Sequence, residues 1–173
     1  MRKLILFAAL LVFSSAAFAQ TKTLDGVRKT YFRNGTLKEE ANYQGGKSNG
    51  PAKFYREDGS LFRECFFTQG ELEGPVRDYS PDGKLSSELF YKGGRLNGVA
   101  RQYYSNGKTR AEMNYKNGKL DGLEHQYYDN GQLKFESHFT EGLPDGLHKK
   151  YSPEGVLVFE AVFKKGKLQR PKK

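Results

Sequence analysis

Tryptophan is missing from this 173-residue chain, cysteine occurs once and methionine twice. The single cysteine, Cys65, rules out an internal disulfide, so the fold must be held by packing and hydrogen bonds alone. Helical periodicity is absent after the first nineteen residues, and glycine at the density found here would break helices. Catalytic signatures are missing as well. No Ser-His-Asp set follows a nucleophile elbow, and no phosphate loop is present. The three histidines, His125, His138 and His148, fall at unrelated phases of the repeat described below, with no cysteine near them in sequence, whereas a zinc site needs three or four converging ligands. These absences predict a protein that is not an enzyme, with no catalytic residues, no metal and no cofactor.

The chain opens on Met1-Arg2-Lys3, continues through the apolar run Leu4 to Phe13, and reaches Ala17-Phe18-Ala19 with small residues at the −3 and −1 positions. The apolar run is short of the ~20 residues a bilayer span requires. This layout predicts a signal peptide over 1–19 and a single soluble domain over 20–173, exported to the periplasm or the cell exterior. No cysteine sits near the cleavage point, the one in the chain being Cys65, so a lipid anchor is not expected. The formal charge is +9, two of which, Arg2 and Lys3, would leave with the signal. A basic balance favours anionic partners. Both signs are spread through the chain, however, and only the last ten residues concentrate Lys and Arg, so a solubilising surface is the simpler reading. The exported address disfavours nucleic acid.

What the chain has in abundance is glycine at fixed spacing. Six 24-residue units begin at Gly26, Gly50, Gly74, Gly98, Gly122 and Gly146, with no insertion between them. Numbering each unit from that glycine as position 0, position 5 is Tyr31, Tyr55, Tyr79, Tyr103, Tyr127 and Tyr151. Position 14 is always Glu, from Glu40 to Glu160, and position 17 is aromatic throughout: Tyr43, Phe67, Tyr91, Tyr115, Phe139 and Phe163. Positions 0, 9 and 20 take 18 of the 20 glycines, so these glycines have turn or strand duties and give no evidence of nucleotide binding. A period in this range marks a repeat array.

Each unit reads as two strands and two turns. Segments such as Ser105-Asn106-Gly107 and Pro81-Asp82-Gly83 between aromatic-rich runs are hairpin signals. Proline two residues before the glycine presets a type I turn whose glycine takes a left-handed conformation, which predicts a three-residue loop with a G1 bulge. The second turn, as in Lys116-Asn117-Gly118, reads as the same chemistry. Strict alternation from that loop places the position-5 tyrosine opposite position 11, usually Leu, and on one face with positions 15 and 17. The position-14 glutamates then take the other face.

A lone hairpin is marginal in water. Stacked edge to edge, the units predict an all-β, elongated, single-layer antiparallel β-meander of six hairpin repeats (26–49, 50–73, 74–97, 98–121, 122–145 and 146–169). Twelve strands would span roughly 55 Å. The tail 170–173 adds Arg, Pro and Lys, residues that blunt a sheet end. The glutamate row, with neighbours ~10 Å apart, is too widely spaced for a paired-carboxylate site. Position 3 is also charged or His (Lys29, Lys53, Arg77, Arg101, His125 and Lys149), so the two rows are read as a ladder of ion pairs. Cys65, at position 15, stands where the other copies carry Ala41, Leu89, Met113, Ser137 and Ala161, and reads as a small, partly buried residue.

The unit Tyr-x-x-Asn/Asp-Gly-x-Leu-x-x-Glu-x-x-aromatic-x-x-Gly resembles the MORN repeat variant, as found in bacterial YwqK-type antitoxin proteins, over residues 26 to 169. The resemblance implies a meander of hairpins acting in protein or membrane contacts, and suggests an antitoxin-like or immunity-like role for an exported copy. From the residues themselves, two functions stay open. The first is a scaffold that binds an as yet unknown protein partner through Tyr31, Tyr55, Tyr79, Tyr103, Tyr127 and Tyr151 with Tyr91 and Tyr115, since tyrosine offers large, rigid, amphipathic contact area. The second is attachment to an anionic phospholipid surface through Lys164, Lys165, Lys167, Arg170, Lys172 and Lys173. Self-association through the sheet edges is a third kind of contact the architecture allows.

Overall fold

A computed structural model describes residues 25–169. The expected signal peptide and the tail from Arg170 onward lie outside them. Strand and turn are the only regular structure among the described residues, and all fifteen strands belong to one antiparallel sheet. Twelve strands form six hairpins in chain order: β1 (Gly26–Tyr31) with β2 (Leu37–Gln44), β3 (Lys47–Tyr55) with β4 (Leu61–Thr68), β6 (Gly74–Tyr79) with β7 (Leu85–Lys92), β9 (Gly98–Tyr103) with β10 (Thr109–Lys116), β11 (Lys119–Tyr127) with β12 (Leu133–Thr140), and β13 (Leu143–Tyr151) with β14 (Leu157–Lys164). The other three, β5 (Glu71–Leu72), β8 (Arg95–Leu96) and β15 (Lys167–Gln169), are short returns after the second turn of a copy. The sheet is the predicted single-layer meander.

The first turn is the three-residue loop with a G1 bulge, in all six copies. In the fourth copy the Gly107 N–H donates to the Tyr104 carbonyl and the Tyr104 N–H donates to the Lys108 carbonyl, with Gly107 at φ +82°. The second turn differs from expectation. Gln44 pairs directly with Lys47 and Lys116 with Lys119, which leaves two-residue loops, and both loop residues have positive φ. That is the type I′ turn, whose twist matches the flanking strands. It accounts for Gln69, Asn117, Glu141 and Lys165 at φ +49° to +53°, values few non-glycine residues adopt.

A second departure lies just past the first loop. Tyr31 pairs with Leu37 as predicted, but Thr30 pairs with Glu39, so Lys38 at position 12 is an extra residue. The same one-residue bulge recurs in every hairpin. One extra residue reverses the alternation of every side chain beyond it. The position-5 tyrosines therefore share a face with positions 3 and 14, and positions 15 and 17 go to the opposite face with positions 2 and 4. The predicted grouping of tyrosine with the position-17 aromatics is thus corrected. We refer to the two sides as the ladder face and the aromatic face.

The position-0 glycines occupy a further irregularity. Tyr43 pairs with Ser48 and Ala41 with Ala52, so Asn42 alone opposes Asn49, Gly50 and Pro51. Gly50 has φ +115°, and a Cβ there would stand 3.1 Å from the Asn42 Cβ. Gly98 repeats this at φ +119°, with 3.3 Å to the Phe90 Cβ. Both a positive φ and a close backbone approach are met only by glycine.

Small residues on the aromatic face form what core there is. Ala41, Ala52, Cys65 and Val76 are buried in one cluster, covered by Tyr43, Phe54, Phe67, Leu72, Leu89 and Tyr91. Val76 is 1% exposed, which makes it worth about 1.5–3 kcal/mol of apolar burial. Ala100 and Ala111 extend the row of buried residues into the fourth copy. In the last two copies no side chain is buried to that degree, and nine of the thirteen exposed large hydrophobic residues are found there. Both rims tie copy to copy. At the tight-turn rim Gly70, Gly94, Gly118, Gly142 and Gly166 each donate an N–H to a carbonyl in the preceding copy. At the loop rim the Tyr104 and Tyr128 hydroxyls donate to the Tyr127 and Tyr151 carbonyls, and Asn34, Asn106 and Asn130 side chains reach the next loop.

Candidate interaction surface

Three rows run the length of the ladder face. The middle row is the charge ladder predicted from positions 3 and 14. Lys29–Glu40 (3.0 Å), Lys53–Glu64 (3.2 Å), Arg77–Glu88 (2.8 Å) and Arg101–Glu112 (2.8 Å) each join the two strands of one hairpin. In the fifth copy Glu136 lies 3.6 Å from His125 and 3.5 Å from Lys149 of the sixth, so that rung bridges two copies. Pairs as exposed as these add little to stability, because solvent screens them. Their consequence is chiefly electrostatic: each carboxylate already faces a cation and is not presented as an acid–base pair.

The second row is tyrosine. Tyr79 donates its hydroxyl to Glu64 at 2.9 Å across the copy boundary, and burial together with that carboxylate raises its pKa. Burial and Glu112 do the same for Tyr127. Glu64 is itself governed by opposed effects: burial raises its pKa, but the Tyr79 hydroxyl and the Lys53 ammonium outweigh it and hold the carboxyl below its ordinary value. Tyr55, Tyr79, Tyr103, Tyr127 and Tyr151 are half-buried along the ladder, and Tyr31, on the first strand, is 58% exposed. Tyr91 and Tyr115 lie on the aromatic face and are not continuous with these six.

The third row comes from positions 1 and 16, next to the glycine bulges. Here Val27, Phe66, Leu123, Leu147 and Val162 are 43–58% exposed, with Pro51 also open to solvent. Shallow depressions follow this row, one lined by Pro51, Lys53, Glu64, Phe66, Pro75 and Arg77, another by Leu123, Glu136, His138 and Leu147. The sequence reading passed over this row because its residues differ from copy to copy.

The predicted anionic contacts divide. Lys164 is ion-paired to Asp145 at 3.1 Å, Lys165 and Lys167 are exposed on the tight-turn rim, and Arg170, Lys172 and Lys173 lie outside the described residues. The same rim carries four further exposed cations in the third and fourth copies, Lys92 opposite Arg95 and Lys116 opposite Lys119, none of them ion-paired among the described residues. Like charges directly opposite one another are unfavourable. Position 23 also has a duty that sequence reading missed. Asp25, Asn49, Glu73 and Asp121 accept the N–H of the first tight-turn residue of the next turn, at 2.7–3.2 Å. The regular recurrence of Asp, Asn or Glu at that position was the available signal.

Cys65 is 7% exposed, and burial pushes its thiol pKa up to about 11. His138 and His148 are engaged with backbone, His138 Nδ1 with the Asp145 carbonyl (2.5 Å) and His148 Nε2 with the His138 carbonyl (3.1 Å), and His148 packs edge-on against Phe163. No group of three metal-ligating side chains converges among the described residues.

No curated protein matches the chain. The family model of the MORN repeat variant matches residues 24–44, 72–92, 96–117, 120–141 and 144–165. Each matched segment spans a first strand, its three-residue loop and the returning strand, and the hairpin of β3 and β4 supplies a sixth unit of the same build between the first two. With more than half of its length matched, this chain belongs to the MORN repeat variant family.

Proposed function

We propose that the chain is a non-catalytic scaffold that binds a protein partner across its ladder face. Repeats of this family are commonly protein- or membrane-binding modules. The finer reading is action after export, in the periplasm or outside the cell, in an antitoxin-like or immunity-like role. The observation that supports partner binding is the uncovered apolar row of Val27, Phe66, Leu123, Leu147 and Val162 beside fixed charge pairs and tyrosines. Exposed apolar groups rimmed by polar ones mark interaction sites, and aromatic anchors with flanking charge supply affinity and register. Capture from envelope and secreted fractions tests this. Phe66→Ser with Leu123→Ser, both on open surface, should abolish capture while circular dichroism keeps its strand signal. Undiminished capture by that variant, and by Tyr103→Ser with Tyr127→Ser, would remove the ladder face from the reading.

A second reading, attachment to an anionic phospholipid surface, is favoured by the opposed cations Lys92/Arg95, Lys116/Lys119 and Lys164/Lys167 on one rim. Basic clusters give salt-sensitive attraction to such lipids. Co-sedimentation with phosphatidylserine vesicles at low and high salt tests it, and no salt-dependent pelleting would exclude it.

A further inference from the structure

Every internal boundary between copies is the same joint, and the two ends of the described sheet are its two unmatched halves. At the last internal boundary Phe135 pairs with Lys150, Glu136 with Lys149 and Ser137 with His148. The corresponding residues of β14, Phe159, Glu160 and Ala161, have no strand beyond them among the described residues, because β15 covers only Val162 to Lys164. No strand lies beyond β1 among the described residues either.

Side chains at both ends show the same incompleteness. Phe135 and Leu133 are half-buried, whereas Phe159 and Leu157, their equivalents one copy later, are 54% and 47% exposed. Tyr31 is 58% exposed, while its five equivalents are half-buried. Glu160 is the one ladder glutamate whose carboxylate has no hydrogen bond or ion pair among the described residues, since Lys149 turns to Glu136 instead. Glu64 shows what a complete rung receives: Lys53 at 3.2 Å and, from the following copy, the Tyr79 hydroxyl at 2.9 Å.

We propose that the β14 edge of one molecule accepts the β1 edge of a second copy, so that the meander continues head to tail across molecules. In the register of the internal joints, Thr30, Lys29 and Arg28 of the second copy pair with Phe159, Glu160 and Ala161. Tyr31 then stands to Glu160 as Tyr79 does to Glu64, Lys29, paired with Glu40 in its own hairpin, comes to lie directly opposite Glu160, and Phe159 and Leu157 are covered. Where the six copies have glycine at φ +78° to +123°, a conformation that side-chain-bearing residues rarely adopt, the sequence next carries Arg170. Ends that differ from each other make a heterologous contact, which extends instead of closing at a dimer.

Sedimentation of the full chain over a concentration series tests this. The weight-average mass should rise past that of a dimer. Lys29→Glu and Glu160→Lys should each abolish the rise alone, because each sets like charges opposite one another at the joint. Mixed one to one, the two variants should recover it, since both joints in the mixture again oppose opposite charges. That recovery separates loss of the joint from damage to the fold, which mixing cannot repair. A wild-type chain that stays single, growth that stops at a dimer, or a mixture that stays single overturns the proposal. So does a wild-type chain that stays single while one ending at Gln169 assembles, which would assign the edge to the tail.

Discussion

Asparagine placed at Gly98 and at Gly107 should separate two reasons for glycine in one copy. Gly107 has φ +82° with open space around its Cα, and asparagine is among the side chains that tolerate left-handed backbone. Asn117, one turn away, already sits at φ +51°. Gly107→Asn should therefore cost about 1 kcal/mol or less. At Gly98 the φ of +119° lies well outside the left-handed helical region, and the new Cβ would stand 3.3 Å from the Phe90 Cβ, which is fixed in the neighbouring strand. Backbone strain of about 1–3 kcal/mol and overpacking of similar size partly add, so about 2–4 kcal/mol is expected. The bulge at Gly98 joins the third and fourth copies, and array stability is a sum of nearest-neighbour terms. The urea transition should therefore broaden as well as shift, with the two halves uncoupling. Equal losses at the two sites, or a sharp unshifted transition for Gly98→Asn, would refute the reasoning.

Two further outcomes follow from the ladder and the core. With its pKa near 11 instead of 9.0, Cys65 should hold about a hundredfold less thiolate at pH 8 than a free thiol, so labelling by a disulfide reagent should be slower by at least that factor until urea exposes it. Native labelling at the free-thiol rate would show the cluster around Val76 to be open. Glu64, its pKa held down in the fold, contributes stability that is complete above the ordinary carboxylate range and lost as pH falls through its lowered value. Tyr79→Phe should accordingly lower the urea midpoint at neutral pH, with the gap to wild type closing in acid. A gap of the same size at both pH values would mean the hydroxyl does not act on the carboxylate.

The array, the first loop and the pairing of positions 3 and 14 were legible in the sequence because each rests on a local signature repeated six times. The face on which tyrosine lies was not. It depends on one extra residue at position 12, and Lys38, Phe62, Ser86, Arg110, Lys134 and Val158 share no chemistry that would announce a bulge. The type I′ turn was readable in principle, since Asn117-Gly118 and Gly45-Gly46 are preferred pairs for it, but the strand ends that limit the loop to two residues had to be seen. The open row of Phe66, Leu123 and Leu147 stayed hidden for a different reason: what recurs there is a position on the sheet, while the residue types vary.

Because the strands follow one another in chain order across the sheet, the first and last described strands lie at opposite edges. Tension applied through them acts along the inter-strand hydrogen bonds and not across them, so the bonds open in succession and not all together. The molecule should behave as a zipper that yields one 24-residue unit at a time, each releasing about 80 Å of chain at ~3.4 Å per residue. Single-molecule stretching would show that as a low, evenly spaced staircase. A protein of this design gives length under load in fixed increments, and recovers it by re-pairing each unit with the neighbour still in place.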